Sequence, residues 1–123
     1  MNTNGTVALT KKVIITSSRP VTKEDFIKKI GELTKNIIDY LKQKGCRDIG
    51  HIKFISTTDG EDYLQFSVQD IGKEPRIQGM LRKTFEKIKI TLNIIEFGVD
   101  EKDIDKKVDL EIRTIKEYFL NLK

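Results

Sequence analysis

Two stretches of this sequence carry an apolar stripe at helical spacing, and each stripe needs a surface to cover it. Apolar residues recur every three or four positions over 26–41, and again over 104–122. Charged residues occupy most of the positions between them. Two amphipathic helices are therefore predicted, each burying one side against the rest of the chain.

Both helices have recognisable signals at their ends. Thr22 precedes the first helix and Asp100 precedes the second, and acidic residues follow each of them. A Thr or Asp side chain at this position accepts a hydrogen bond from a free helical amide, and the acids favour the positive end of the helix dipole. The first helix is predicted to run from about Lys23 to Lys44, with Gly45 as its left-handed C-cap.

The remaining segments are predicted to form strands. The range 87–97 alternates apolar and polar residues, which is typical of a long, central strand with one buried face. Asp59-Gly60 predicts a tight hairpin turn with positive φ angles, and Ser18-Arg19-Pro20 predicts a turn after the first strand. For residues 76–81 a strand is favoured over the start of a helix reaching Lys87. Strands are predicted at 7–17, 52–57, 63–69, 76–81 and 87–97.

This order of elements predicts one α+β domain over residues 1–123, with 1–5 as a flexible tail. The expected architecture is a two-layer sandwich: a mostly antiparallel sheet of about four to five strands with two long helices on one face, ferredoxin-like or related. No internal repeat and no interdomain linker interrupts the pattern.

The charge balance favours a solubilising surface over a nucleic-acid-binding one. The chain has 23 Lys and Arg against 19 Asp and Glu, a net charge of +4, and acids are mixed among the bases. Nucleic-acid modules usually gather their cations on one face. The single cysteine and the short apolar runs predict a cytoplasmic protein without a membrane segment.

No self-sufficient catalytic or cofactor site is recognisable. The sequence contains neither of the glycine-rich loops that usually cradle nucleotide phosphates. Its only histidine, His51, forms a Cys-x4-His pair with Cys46, and Asp48 lies between them. These are weak candidates for a metal site, because a structural zinc site normally has four ligands. Ordinary packing or an exposed loop is the favoured interpretation.

Two charged segments have similarly competing interpretations. Carboxylates at Asp59, Glu61 and Asp62 could bind a hard cation, but they lack the spacing of an EF-hand loop, so a solvated turn is favoured. A basic stretch could meet an anion or a nucleic acid, although a solvated face is again favoured. Its cations are Arg76, Arg82, Lys83 and Lys87.

Aromatic residues give little support to RNA binding, since they are few and the basic-Gly-aromatic signature of RNA-binding sheets is missing. Phe66 in particular is expected in the core, because it lies on the apolar face of its strand. The aromatic residues of the predicted sheet region are Phe54, Tyr63, Phe66, Phe85 and Phe97.

Three segments resemble the C-terminal domain of CobW-like GTPases, a family linked with cobalamin synthesis and metal delivery. They are Val13–Pro20 with the capped helix behind it, Gly50–Phe54 before a hairpin, and Leu92–Val99 leading into the last helix. The GTPase part of that family, with its phosphate loop and Cys-rich metal motif, is absent from this sequence. The resemblance implies a free-standing accessory domain that contacts a protein partner, such as a separate GTPase or a metal-delivery protein.

The predicted function is therefore a non-catalytic binding or regulatory accessory domain. A small nucleic-acid-binding domain and a small enzyme using His51 are the alternatives. Homodimerisation stays open, because a sheet with helices on one face can expose its other face or an edge.

Overall fold

The computed structural model describes residues 6–70 and 73–123. The predicted tail at 1–5, and Ile71-Gly72 of the segment before the fourth strand, lie outside these residues. Within them, neither helix is long and apolar enough to cross a membrane. The elements are β1 (Thr6–Thr22), α1 (Lys23–Gln43), β2 (Asp48–Thr57), β3 (Tyr63–Val68), β4 (Arg76–Met80), β5 (Thr84–Phe97) and α2 (Glu101–Leu120).

The five strands form one sheet in the order β1-β5-β2-β3-β4, and every neighbouring pair is antiparallel. Since β1 and β2 are both antiparallel to β5, they are parallel to each other, and α1 connects them in a split β-α-β unit. The predicted α+β fold, with a mostly antiparallel sheet and two long helices, is confirmed.

Both helices pack on the same side of the sheet. On β1 the odd-numbered residues face them: Lys11 forms ion pairs with Asp105 and Asp109 of α2. The core between the layers contains the side chains that are most completely buried. These include Phe26, Ile30, Ile37 and Leu41 of α1, Ile104 and Phe119 of α2, and Ile52, Phe54, Ile88, Leu92 and Ile94 of the sheet.

The helix ends agree closely with their sequence signals. The side chain of Thr22 accepts a hydrogen bond from the Asp25 amide, and that of Asp100 accepts one from the Lys102 amide. Gly45 follows the last turn of α1 with a φ of +83°, as a left-handed cap requires.

Removing the cap of α1 tests its contribution. Replacing Thr22 with alanine is expected to lower the free energy of unfolding by about 1 kcal/mol, because the Asp25 amide loses its acceptor at 3.2 Å. Thr22→Ser keeps an acceptor and should stay within a few tenths of a kcal/mol of the parent protein. Urea denaturation of both variants measures the difference, and equal losses in the two would contradict a capping role.

The predicted turn at Ser18-Arg19-Pro20 is wrong. The chain stays extended to Thr22, and its pairing register with β5 shifts between Thr16 and Val21. Proline has no N–H to give to a sheet ladder, so Pro20 is accommodated by an irregularity in the strand and not by a reversal of the chain.

The hairpin between β2 and β3 is also built differently from the prediction. Residues 58–62 form a five-residue loop, and Gly60 is not among the glycines with positive φ. Side chains hold this loop: the Thr58 hydroxyl donates to Asp62 at 2.6 Å, and Arg82 pairs with Asp59 at 2.7 Å. The strand interpretation of residues 76–81 is confirmed by β4, which pairs with β3.

Candidate binding face of the sheet

The side of the sheet away from the helices is called the open face. Side chains of neighbouring strands meet on it, as when the Thr10 hydroxyl donates to the Asn93 side-chain oxygen at 2.8 Å. Alternation along the paired strands defines its members. They are Thr6, Ala8, Thr10, Lys12, Ile14 and Thr16 of β1; Lys87, Lys89, Thr91, Asn93, Ile95 and Phe97 of β5; His51, Lys53, Ile55 and Thr57 of β2, with Asp48 at its end; Tyr63, Gln65 and Ser67 of β3; and Arg76, Gln78 and Met80 of β4.

The open face concentrates positive charge. None of its five Lys and Arg side chains has an ion-pair partner within residues 6–70 and 73–123. The whole chain has a net charge of +4, so the five positive charges on this face exceed the net positive charge of the entire protein. Carboxylates of the strands lie at the ends of this face, where Asp48 is opposite Phe97 and Glu86 lies beside Lys87. The five cations are Lys12, Lys53, Arg76, Lys87 and Lys89.

Apolar side chains lie between these cations. Ile14 is 49% exposed, Tyr63 is 47% exposed and Met80 is 82% exposed. Tyr63 and Met80 lie directly opposite each other on β3 and β4. Gly79 has a φ of +103°, and a Cβ there would lie 2.8 Å from a ring carbon of Tyr63. Only glycine therefore lets the Tyr63 ring lie against β4 in this position.

One end of the open face is concave. A cleft of about 470 Å³ lies beside the β2–β3 loop, with Ile14 among its apolar lining and Lys87, Lys89 and Arg82 among its cations. Arg82 is already paired with the loop carboxylates, and Glu86, which also lines the cleft, forms no ion pair within the described ranges. The two lysines are therefore the cations of this cleft that lack a carboxylate partner in the described part of the chain.

The basic and acidic segments predicted from the sequence are thus partly neutralised by each other. Arg82 pairs with Asp59 at 2.7 Å, and its backbone amide donates to Asp62. Hydrogen bonding from Thr58 holds the pKa of Asp62 below its usual value. Arg76 and Lys87, by contrast, lie on the open face.

The Cys46 and His51 pair is divided between the two sides of the sheet. The Cys46 thiol is 3.8 Å from Glu96 Oε1, and Glu96 lies in phase with the helix-facing residues of β5. His51 pairs with Ile95 on the open face. Among the described residues, no group of three or more His, Cys, Asp or Glu could hold a metal ion.

Burial raises the pKa of the Cys46 thiol above its ordinary value. The thiol donates a hydrogen bond to the Asp48 carbonyl oxygen at 3.2 Å. The protonated thiol is neither a strong nucleophile nor a metal ligand. The arrangement therefore favours a packing role for Cys46.

Glu96 is a buried acid that the sequence interpretation missed. Its side chain is fully buried, Oε1 accepts from the Val99 amide at 3.0 Å, and Oε2 has no partner among the described residues. Burial raises the pKa of this carboxyl. A signal was present in the sequence, because Glu96 continues the alternating series of buried positions on β5 that contains Leu92 and Ile94.

Comparisons with known proteins find only distant similarity to solved structures. No protein-family model matches the chain, and no curated protein sequence matches it. Two similar solved structures are the Zn(II)-bound YjiA GTPase from E. coli, at 16% identity and a TM-score of 0.43, and a Zn(II)-bound triple mutant of YjiA GTPase, at 17% and 0.42. Each match covers 81% of this chain but only 29% of the other. Similarity at this level identifies neither a family nor a function.

Proposed function

We propose that this chain is a non-catalytic binding module that docks a protein partner on the open face of its sheet. One observation carries the proposal: the helices bury one side of β1, β2, β3 and β5, while the open face presents exposed apolar residues among cations that have no ion-pair partner in the described part of the chain. Exposed Tyr63 and Met80 are the side-chain types that are enriched at protein interfaces.

The chemistry of the remaining sites agrees with a binding role. Burial is the main cause that raises the pKa of the Cys46 thiol, and the neighbouring Glu96 carboxyl raises it further. A cysteine that acts as a nucleophile needs a lowered pKa instead. His51 lies on the other side of the sheet from this thiol and cannot serve as its base. The resemblance to the C-terminal domain of CobW-like GTPases makes a separate GTPase the first partner to test.

Site-specific photo-crosslinking in the producing cells tests this function. A benzoylphenylalanine placed at Gln65, in the middle of the open face, is expected to give a discrete adduct of higher mass. The same group at Lys28, which is exposed on α1, should give little or none. The adduct should also disappear when Tyr63 and Met80 are replaced with serine.

Two results would contradict the proposal. The first is the absence of any adduct from Gln65, and the second is an equal adduct from both positions. Either one would mean that the open face is not a preferred docking surface. Circular dichroism of each variant confirms that the fold is retained.

A further inference from the structure

The open face has a charge pattern that no segment of the sequence displays by itself. Its cations come from four strands: Lys12 from β1, Lys53 from β2, Arg76 from β4, and Lys87 and Lys89 from β5. Strands lie about 4.8 Å apart and alternate residues about 7 Å apart, so side chains of this length can reach one bound segment together. We propose that the occupant of this face is an acidic protein segment that carries apolar side chains between its carboxylates. This inference rests on the proposed function and specifies its partner.

Charge complementarity is the first argument. The five cations have no ion-pair partners within residues 6–70 and 73–123, whereas Lys11, on the helix side of β1, is paired with two aspartates. On the helices, acids are interspersed with the bases, and some pair with them, as Asp39 does with Lys35 and Glu111 with Lys107. The open face instead groups five cations, with carboxylates only at its ends. A partner that brings carboxylates gains attraction and steering from this face.

The apolar residues between the cations favour a protein over a nucleic acid as the molecule that binds the open face. Ile14, Tyr63 and Met80 are exposed, and a phosphate backbone would leave their apolar surface uncovered. Sheets that bind single-stranded nucleic acid stack bases on aromatic side chains of adjacent strands. Here Tyr63 lies opposite Met80, and Phe97 lies opposite Thr6 and Asp48, so neither ring has an aromatic ring directly opposite it on the described part of this face.

A second copy of the chain is disfavoured on this surface by the same charges. Two open faces brought together around a two-fold axis would place the five cations of one copy near those of the other. Like charges at close range cost free energy and select against the wrong partner. The complementary occupant is therefore acidic.

Nuclear magnetic resonance with a defined acidic peptide tests the inference. The probe is a synthetic peptide of about sixteen residues in which glutamate alternates with leucine and threonine, long enough to cross the sheet in extended form. An oligonucleotide of uridines with the same net charge is the comparison. The side-chain amide signals of Asn93, Gln65 and Gln78 report the open face, whereas those of Asn36 and Asn121 report other surfaces.

Addition of the peptide is expected to shift the three open-face signals and to leave the two others in place. Binding should weaken as salt is raised, because four of the five cations are exposed and salt screens their charges. The uridine oligonucleotide should bind more weakly than the peptide at equal charge. Tighter binding of the oligonucleotide would overturn the assignment to a protein partner.

Two double charge-reversal variants test whether the peptide binds at the open face. The double variant Lys53→Glu and Lys89→Glu should weaken peptide binding about tenfold, through two lost attractions and two added repulsions. The double variant Lys28→Glu and Lys106→Glu changes the net charge equally on exposed helix positions and should weaken binding less than about threefold. Equal losses in both variants would show that only net charge matters and would overturn the proposal.

The two proposals fail in different ways. If the peptide does not bind but the Gln65 crosslink forms, the docking surface stands and its acidic occupant is wrong. If the peptide shifts the signals of Asn36 and Asn121 and not those of the open face, the location itself is wrong.

Discussion

Replacing Phe26 with alanine is expected to lower the free energy of unfolding by about 3–5 kcal/mol. Its side chain is fully buried at the start of α1. The ring meets that of Phe85 of β5 edge-on at 5.4 Å between centroids and lies 6.3 Å from that of Phe119 of α2. Truncation therefore removes contacts with the sheet and with the second helix, and it leaves a cavity where three elements meet.

A loss of this size is a large share of the stability of an ordinary domain, which is about 5–15 kcal/mol. Urea denaturation followed by circular dichroism measures it. Phe26→Leu keeps most of the volume and should lose less than Phe26→Ala. Leu120→Ala removes an apolar side chain that is 58% exposed and should change the stability by about 0.5 kcal/mol or less. A similar effect for Phe26→Ala and Leu120→Ala would contradict the central position of Phe26.

Replacing Glu96 with glutamine is expected to change how stability depends on pH. Burial raises the pKa of Glu96 in the folded protein above its value in the unfolded chain. The folded state therefore binds the proton more tightly, and stability falls as pH rises from the ordinary glutamate pKa through the raised one. Glutamine stays neutral, so the variant should not show this part of the decline.

The stability difference between Glu96→Gln and the parent should therefore grow in favour of the variant as pH increases. Its size is set by the rise in the pKa, at about 1.4 kcal/mol for each unit of the rise. Denaturation at several pH values between about 4 and 9 measures the difference. Glu86→Gln, which removes the exposed carboxyl of another glutamate on the same strand, is the control for the change in net charge. A flat difference for Glu96→Gln would contradict the raised pKa.

The helices were predictable because their signals are local. Thr22 and Asp100 lie beside the amides they cap, and Gly45 follows the turn that it ends. Capping and helical periodicity depend on residues within a few positions of each other. The same is true of the alternation that predicted β5.

Strand pairing was not predictable in the same way, and the candidate binding face depends on it. Lys12, Lys53 and Lys89 are far apart in sequence, and only the register of β1, β5 and β2 places them on one surface. Of the basic stretch visible in the sequence, Arg82 is paired with the loop carboxylates, whereas Arg76 and Lys87 lie on the open face. Acids and bases are mixed along the sequence, but the folded sheet gathers cations on its open face.

The position of β5 between β1 and β2 has a consequence for synthesis on the ribosome. Val7 of β1 pairs with Glu96 of β5, so an interior strand of the sheet is made after the four other strands. Until β5 emerges, β1 and β2 lack their shared neighbour, and α1 lacks part of the surface on which it packs. Contacts between such distant residues also slow folding. The nascent chain is therefore expected to expose apolar surface to chaperones until β5 has been made.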